Sequence, residues 1–309
     1  MGLLVEGEWT DKAYDTSKKG AFKRESAQFH HALSENPKAD FPAEKGRYHL
    51  YVSLACPWAH RTLIFRKLKK LDDFIDISIV HPHMLEKGWE FKRGMGATGD
   101  KLYDLAYLYQ LYCKADQHYS GRVTVPVLWD KKTKTIVSNE SSEIIRQFNQ
   151  AFNHLTGDKQ DFYPKALAEE IDAINAKIYN TVNNGVYKCG FAVTQIAYEE
   201  AFNALFATLD ELEKHLSNNQ YLVGDQLTEA DWRLFTTLVR FDAVYFGHFK
   251  TNKRRISDYP ALQSYLLRLY DHPGVSETVN LTHIKQHYYY SHKMINPTQI
   301  VPLGPELKF

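Results

Sequence analysis

Residues 48–65 have the sequence YHLYVSLACPWAHRTLIF. Residues 48–54 alternate in polarity and are rich in β-forming side chains, which predicts a strand. From Pro57 onward apolar residues recur at helical spacing, so a helix follows the strand after a short loop. Residues 74–80 are dense in β-branched side chains and predict a second, buried strand parallel to the first. Strand, helix and strand together make a βαβ unit.

The spacing of apolar residues predicts further elements along the rest of the chain. Beyond residue 100 it predicts one helix, two short strands and a closing helix, at residues 102–113, 123–129, 133–137 and 138–149. This order, βαβ, helix, ββα, is typical of a thioredoxin-like domain. After residue 153 strand patterns stop and long amphipathic periods begin, which predicts an all-α helical bundle. The fold class is therefore an α/β thioredoxin-like domain followed by an all-α helical bundle domain.

This division gives four segments. They are an N-terminal arm at 1–45, the thioredoxin-like domain at 46–153, the all-α domain at 164–295 and a C-terminal tail at 296–309. The arm is polar and punctuated by Pro and Gly, and we expect it to lie extended over the folded part.

Charge and composition exclude several classes of partner. The 309 residues include 38 Lys and Arg and 37 Asp and Glu. The resulting net charge of +1 gives no electrostatic field strong enough to attract a polyanion such as nucleic acid. No stretch approaches the roughly 20 apolar residues of a membrane span, and the N-terminus has no signal-peptide pattern. Three scattered cysteines argue for a reducing compartment. We expect a cytoplasmic protein with neither a nucleic-acid nor a membrane partner.

Cys56 lies where the first predicted strand gives way to the first helix. Pro57 suits the first helical position, where a missing N–H is no loss. The free N–H groups and dipole of a helix N-terminus can lower a thiol pKa from about 8.5 to roughly 4–7. Because residue 59 is alanine, this is not a CxxC dithiol, and the thiol must exchange with an external one. The pattern predicts Cys56 as a nucleophile, the plainer alternative being an inert buried cysteine.

Two further motifs follow in the same domain. Val125-Pro126 opens a predicted strand, where proline marks either a strand start or a cis bond that turns the backbone outward. Glu140 and Ser141 open the next helix, and a helix N-terminus flanked by hydroxyls is suited to bind a carboxylate. Taken singly, the first is more often an edge strand and the second an ordinary helix cap.

Longer motifs lie along the rest of the chain. They are Cys56-Pro57-Trp58-Ala59-His60-Arg61, Lys87-Gly88-Trp89, Asn183-Asn184-Gly185-Val186-Tyr187-Lys188, His287-Tyr288-Tyr289, Ser291-His292 and Ile295-Asn296-Pro297. The helix-start cysteine, the Val-Pro strand and the Glu-Ser pair resemble the thioredoxin-like half of cytosolic glutathione transferases. With the longer motifs, the chain from about residue 9 to 305 resembles the Xi class, the glutathionyl-hydroquinone reductases.

The resemblance implies a glutathione transferase fold and a specific reaction. Cys56 would attack the sulfur of a glutathionyl-hydroquinone, release the hydroquinone and form a mixed disulfide that a second glutathione resolves. Residues implied to bind glutathione are Trp89, Val125, Pro126, Glu140 and Ser141. Glutathione would be a co-substrate, with no tightly bound cofactor.

The same resemblance implies that Tyr187 and Tyr289 face the aromatic ring of the substrate and act in catalysis. The sequence leaves open whether Tyr288 or Tyr289 points inward. The partners implied are glutathione and glutathionylated aromatic small molecules, and the protein would be a homodimer.

Rival interpretations remain open. An Omega-like thioltransferase or dehydroascorbate reductase would share Cys56 but need neither an aromatic pocket nor the tail motif. A non-catalytic binding module on this scaffold would have no use for the thiol. Residues 94–99 match GxGxxG, but a charged segment stands where a strand should precede it, so we predict a loop. Two histidine pairs, at 81/83 and 283/287, lack an obvious third ligand, and we predict no metal site.

Overall fold

The computed structural model describes residues 2–12, 16–307 and 309. Its strands are β1 (Leu3–Val5), β2 (Glu8–Thr10), β3 (Tyr48–Val52), β4 (Asp76–Ile79), β5 (Gly121–Arg122), β6 (Val127–Asp130) and β7 (Thr135–Ser138). Its helices are α1 (Pro57–Leu68), α2 (Leu108–Ala115), α3 (Ser141–Gln150), α4 (Asn153–Thr156), α5 (Ala168–Ile178), α6 (Gly185–Gly190), α7 (Gln195–Leu216), α8 (Glu229–Arg240), α9 (Phe246–His248), α10 (Pro260–Tyr270) and α11 (Leu281–Lys285).

A first compact unit comprises residues 2–12, 25–160 and 278–287. Its mixed sheet has the order β4-β3-β6-β7. β3 and β4 are parallel and are connected through α1, whereas β6 runs antiparallel to both β3 and β7. β3 is buried along its whole length, as expected of a strand at the centre of a sheet. The predicted order βαβ, helix, ββα is confirmed.

Two elements of this unit begin four or more residues later than predicted. The strand predicted at 123–129 begins at Val127, directly after Pro126, because proline has no N–H to offer a ladder. The helix predicted at 102–113 is observed over Leu108–Ala115. Asp100 explains that shift, since its carboxylate accepts hydrogen bonds from the backbone N–H groups of residues 102, 103 and 105 and holds them in a turn.

The predicted arm contains regular structure that the sequence did not reveal. β1 and β2 form a hairpin that pairs with β5 in the order β2-β1-β5. The turn residues Glu6 and Gly7 have φ values of 49° and 80°, as a two-residue type I′ turn requires. The Trp9 ring stacks on Tyr109 at 5.2 Å, and its Nε1 donates to the carbonyl of Glu86 at 2.9 Å. Residues 13–15 of the arm lie outside the described residues.

A second compact unit comprises residues 16–24, 161–277 and 288–307 with 309. In it the long helix α10 packs against both α7 and α8. A capping box formed by Thr228 and Asp231 begins α8. The fully buried Asp231 carboxylate accepts from the Thr228 N–H at 2.8 Å, the Leu222 N–H at 3.0 Å and the Tyr265 hydroxyl at 2.7 Å. In the tail, the Phe309 ring stacks on Tyr270 at 4.8 Å.

Wide π-helical turns continue some of the helices. They follow α5 at Tyr179–Asn183, α8 at Phe241–Tyr245 and α11 at Gln286–Tyr290. A π-helical turn inserts one extra residue and rotates the residues after it about the helix axis, and such turns are frequent at functional sites.

Candidate active site

Cys56 lies at the N-cap of α1, in an extended conformation with φ −74° and ψ 124°. Pro57 occupies the first helical turn, as predicted. The Cys56 carbonyl accepts the first helical hydrogen bond from His60 N at 2.9 Å. Its side chain therefore lies at the positive end of the helix dipole, which stabilises a thiolate.

The Cys56 Sγ is 3.6 Å from the backbone carbonyl of Val125, to which the thiol donates. Val125 is buried, and its peptide bond to Pro126 is cis. The structure therefore brings together two of the motifs that the sequence placed 69 residues apart.

Glu140 and Ser141 form the start of α3. Glu140 is the N-cap, and its carboxylate accepts from the Ser142 N–H at 2.9 Å and the Ser142 hydroxyl at 2.8 Å. The buried Arg61 of α1 donates from Nη1 to the Ser141 hydroxyl at 3.4 Å and stacks over Trp58 at 4.6 Å. A buried guanidinium, a hydroxyl and a helix N-terminus meet here, which is an arrangement suited to a carboxylate ligand.

Trp89 lies in the long connection between β4 and α2 and is buried. The His287 ring stacks on it with centroids 4.8 Å apart and an interplanar angle of 22°. The Nδ1 of His287 lies 2.9 Å from the Pro82 carbonyl, so this nitrogen carries the proton and donates it. His287 thus covers one face of the Trp89 ring.

Tyrosine hydroxyls form a hydrogen-bonded chain in the second unit. The Tyr288 hydroxyl lies 2.5 Å from that of Tyr187 and 2.9 Å from that of Tyr245. Burial raises the pKa of Tyr288 well above its usual value, and the neighbouring Tyr187 and Tyr245 raise it further. Tyr288 therefore stays protonated at neutral pH and can donate one hydrogen bond while accepting another.

Tyr289 lies elsewhere, although the resemblance pointed to it as a catalytic residue. Its hydroxyl donates to the Ala243 carbonyl at 3.5 Å, and its ring packs against His248 at 4.8 Å. Of the two neighbouring tyrosines, Tyr288 is the one whose hydroxyl lies beside that of Tyr187.

Comparisons with known proteins agree with this architecture. A family model described as the glutathione S-transferase N-terminal domain matches residues 55–151, and one for the C-terminal domain matches residues 195–268. The two matches span more than half of the chain. The chain belongs to the glutathione S-transferase family.

Two relatives of this transferase are similar over nearly their whole length. Glutathionyl-hydroquinone reductase YqjG of Escherichia coli is 58% identical, with 99% of this chain and 95% of that protein covered. Glutathionyl-hydroquinone reductase PcpF of Sphingobium chlorophenolicum is 55% identical, with 99% and 96% covered.

Solved structures give the same result. The glutathione-bound structure of YqjG has a TM-score of 0.92 and 55% identity over 99% of this chain and 96% of that chain. Glutathione S-transferase Xi of Phanerochaete chrysosporium has a TM-score of 0.91 and 54% identity over 94% and 95%. The glutathione transferase fold and the resemblance to the Xi class, both inferred from motifs, are confirmed.

Sequence reasoning missed several side-chain contacts of this transferase. Tyr245 ends a π-helical turn after α8, and an isolated tyrosine in an apolar helix gives no sign beyond packing. His287 was quoted as part of the tail motif, but nothing in the sequence connected it to Trp89. Arg24 lies in the arm, whose docking partner the sequence did not indicate.

Cys113 and Cys189, the two other cysteines of the transferase, do not lie at a helix N-terminus as Cys56 does. The Cys113 thiol donates to the Gly7 carbonyl at 3.3 Å, and burial raises its pKa. Burial raises the pKa of Cys189 to about 12. Both sulfurs therefore remain thiols at neutral pH.

Residues 94–99 form a loop in the transferase, with no helix opening after them. Within residues 2–12, 16–307 and 309, no group of three His, Cys, Asp or Glu side chains is arranged to hold a metal ion. Across those same residues, no helix combines the length and the hydropathy needed to span a bilayer.

Proposed function

We propose that this transferase reduces S-glutathionyl-hydroquinones to hydroquinones at the expense of glutathione. One observation carries the proposal. A monothiol at a helix N-terminus, Cys56, occurs with a hydrogen-bonded set of tyrosine hydroxyls, in a chain more than half identical to two reductases named for this reaction. A thioltransferase acting on simple disulfides needs the thiol and has no use for the phenols.

The first unit holds the glutathione moiety in this proposal. The backbone of Val125, beside the Cys56 sulfur, pairs with the ligand's own peptide groups, and the cis Pro126 follows it. Glu140 provides a negative charge for the γ-glutamyl ammonium, and Ser141 with the α3 N-terminus binds the adjoining carboxylate. Trp89 completes the set.

The chemistry proceeds in two exchanges. The Cys56 thiolate attacks the thioether sulfur of the substrate, forming a Cys56–glutathione disulfide while the bond from sulfur to the ring carbon breaks. The ring carbon leaves with the electron pair and takes a proton to give the hydroquinone. A second glutathione thiolate then attacks the mixed disulfide, which releases oxidised glutathione and restores the Cys56 thiolate.

Tyr187 supplies the proton to the departing ring carbon. Tyr288 stays protonated and donates to the Tyr187 oxygen, so it stabilises the negative charge that develops there. Tyr245 accepts or donates at the far side of Tyr288 and fixes its orientation. In this proposal Tyr288 takes the role that the motif resemblance pointed toward Tyr289.

We also propose a cytoplasmic location and a homodimer. None of the three cysteines, all of which are described, is in a disulfide, which suits a reducing compartment. Light scattering after size-exclusion chromatography measures the mass in solution, and about 72 kDa, twice the 35.8 kDa of one chain, is expected for a dimer. A mass near that of one chain would contradict it.

A three-substrate assay tests the proposed function. Turnover with glutathione is measured on a glutathionyl-hydroquinone, on dehydroascorbate and on a small mixed disulfide of glutathione. We expect the glutathionyl-hydroquinone to have the highest kcat/KM. Equal or faster reduction of dehydroascorbate, with negligible hydroquinone release, would instead assign the Omega-like activity.

A further inference from the structure

The arm segment of the second unit, residues 16–24, ends in contact with the proposed proton donor. The guanidinium carbon of Arg24 lies 4.9 Å from the ring centroid of Tyr187, over its face. Phe22, from the same segment, stacks near the same ring at 6.5 Å. A guanidinium over an aromatic ring is attracted by the negative charge of the π face.

A buried amide fixes the position of this guanidinium. The Nε of Arg24 donates to Oδ1 of Asn184 at 2.9 Å, and Asn184 is buried. Asn184 joins the π-helical turn after α5 to α6, and its carbonyl accepts from Lys188 N at 2.9 Å. The amide that orients Arg24 and the helix that carries Tyr187 are therefore parts of one continuous helical element.

The proton transfer proposed for Tyr187 explains how the contact between Arg24 and the Tyr187 ring could affect catalysis. When Tyr187 delivers its proton to the ring carbon, negative charge appears on its oxygen and spreads into its ring. A cation held over that ring interacts more favourably with the phenolate than with the neutral phenol, so it stabilises the transition state more than the ground state.

We propose that Arg24 is a positioning residue of the proton-transfer step, acting through Tyr187. The N-terminal arm thereby contributes to catalysis on the aromatic half of the substrate. This inference rests on the proposed function, in which Tyr187 is the proton donor. Glutathione binding and exchange of simple disulfides, which need no proton delivered to carbon, do not depend on Arg24.

Two substitutions of Arg24 and one matched control test the inference. Arg24→Met removes the cation and keeps much of the apolar stem, and we expect kcat for a glutathionyl-hydroquinone to fall roughly three- to thirtyfold, with KM for glutathione changed less than about twofold. Arg24→Lys retains the charge and should recover most of the loss. Lys23→Met removes the neighbouring, exposed charge of the arm and should leave turnover unchanged.

A double mutant separates action through Tyr187 from direct contact with substrate. In a Tyr187→Phe background, Arg24→Met should reduce kcat by less than about twofold further, because the group it acts on is gone. Asn184→Ala is a second route, since it leaves Arg24 in place and removes its acceptor. We expect a loss of kcat for the glutathionyl-hydroquinone smaller than that of Arg24→Met. This variant replaces Arg24→Met as the test if Arg24→Met lowers the melting temperature.

The outcomes distinguish the inference from the function on which it rests. An active wild-type enzyme whose Arg24→Met variant is folded and equally fast on hydroquinone substrates overturns the inference alone. Equal losses on the small disulfide, or a full additional loss in the Tyr187→Phe background, also overturn it. A wild-type enzyme without hydroquinone turnover overturns the proposed function and the inference with it.

Discussion

The sulfur of Cys56 differs from those of the other two cysteines in its surroundings. It lies at the N-terminus of a twelve-residue helix, whereas burial raises the pKa of both Cys113 and Cys189. Cys56→Ser should therefore abolish glutathione-dependent turnover, while Cys113→Ser and Cys189→Ser retain most of it. Mass spectrometry of the enzyme incubated with oxidised glutathione should find one adduct, on Cys56. A dead Cys189→Ser variant, or a Cys56–Cys189 disulfide, would show that a second thiol takes part.

Glu140 combines a helix cap with a charge, and the two roles can be separated. Glu140→Gln keeps an oxygen for the Ser142 N–H but removes the negative charge, so KM should rise by a similar factor, roughly tenfold, for every glutathione adduct. Ser142→Ala is the matched control, because it removes a hydroxyl bonded to the same carboxylate without removing the charge. A KM effect confined to one aromatic substrate would contradict a glutathione-binding role.

The neighbouring residues Tyr288 and Tyr289 offer an internal comparison. Phenylalanine keeps the packing of either ring and removes only the hydroxyl. Tyr187→Phe should lower kcat for glutathionyl-hydroquinones by roughly ten- to a thousandfold and Tyr288→Phe by roughly ten- to a hundredfold, whereas Tyr289→Phe should stay within about threefold of wild type. Stopped assays of hydroquinone release measure these rates. A larger loss at Tyr289 than at Tyr288 would reverse the assignment.

At the residue scale, the sequence could predict residues whose chemistry comes from their place at the start of a helix. Cys56 and Glu140 are both helix N-caps, and strand-to-helix junctions can be read from periodicity. The side chains of Tyr245 and Arg24 contact residues that lie 43 and 163 positions away in the sequence. Nothing local specifies such contacts, so the sequence alone could not supply them.

At the scale of elements, the start of α8 is held by several hydrogen bonds to one buried carboxylate, that of Asp231. Asp231→Ala would leave the buried N–H groups of Thr228 and Leu222 and the Tyr265 hydroxyl without their acceptor. Each buried donor left unsatisfied costs about 1–3 kcal/mol, so we expect a loss of roughly 3 kcal/mol or more. Urea denaturation measures it, with exposed Glu211→Ala of α7 as the control. A change below about 1 kcal/mol would mean that water replaces these bonds.

Element types were predicted better than the irregularities within them. Helical periodicity after residue 153 predicted the all-α bundle, but a π-helical turn adds one residue to a pattern of 3.6, and an apolar stripe tolerates that shift. The hairpin β1–β2 was not predicted from the sequence, for a different reason. Its strands are three residues long, too short for alternation to stand out, although Glu6-Gly7 is a fitting two-residue turn.

For the whole molecule, buried histidines predict how stability depends on pH. Burial lowers the pKa of His49 and of His81 to about 4, from 6.5 in an unfolded chain. Between those values the unfolded chain binds more protons, so the stability present above pH 6.5 is lost as the pH falls toward 4. For the fully buried His49 the loss approaches about 3 kcal/mol.

Urea midpoints at several pH values measure this dependence. His49→Gln should flatten the decline between pH 6.5 and 4. The carboxylates of Asp76, Asp130 and Asp158 have lowered pKa values, so their contribution is lost only below about pH 3.8 and forms a separate, more acidic step. An unchanged pH profile in His49→Gln would contradict the first step without affecting the second.

The two compact units are each assembled from separated stretches of chain, with residues 16–24 and 288–307 belonging to the helical unit and residues 278–287 to the other. In evolutionary terms, this protein is difficult to recombine. A crossover near residue 160 between two homologous genes would pair a helical body with the arm of the other parent, and so match an Arg24 from one lineage to a Tyr187 from another. A chimera builder who wishes to exchange the helical unit intact must therefore move three gene segments at once.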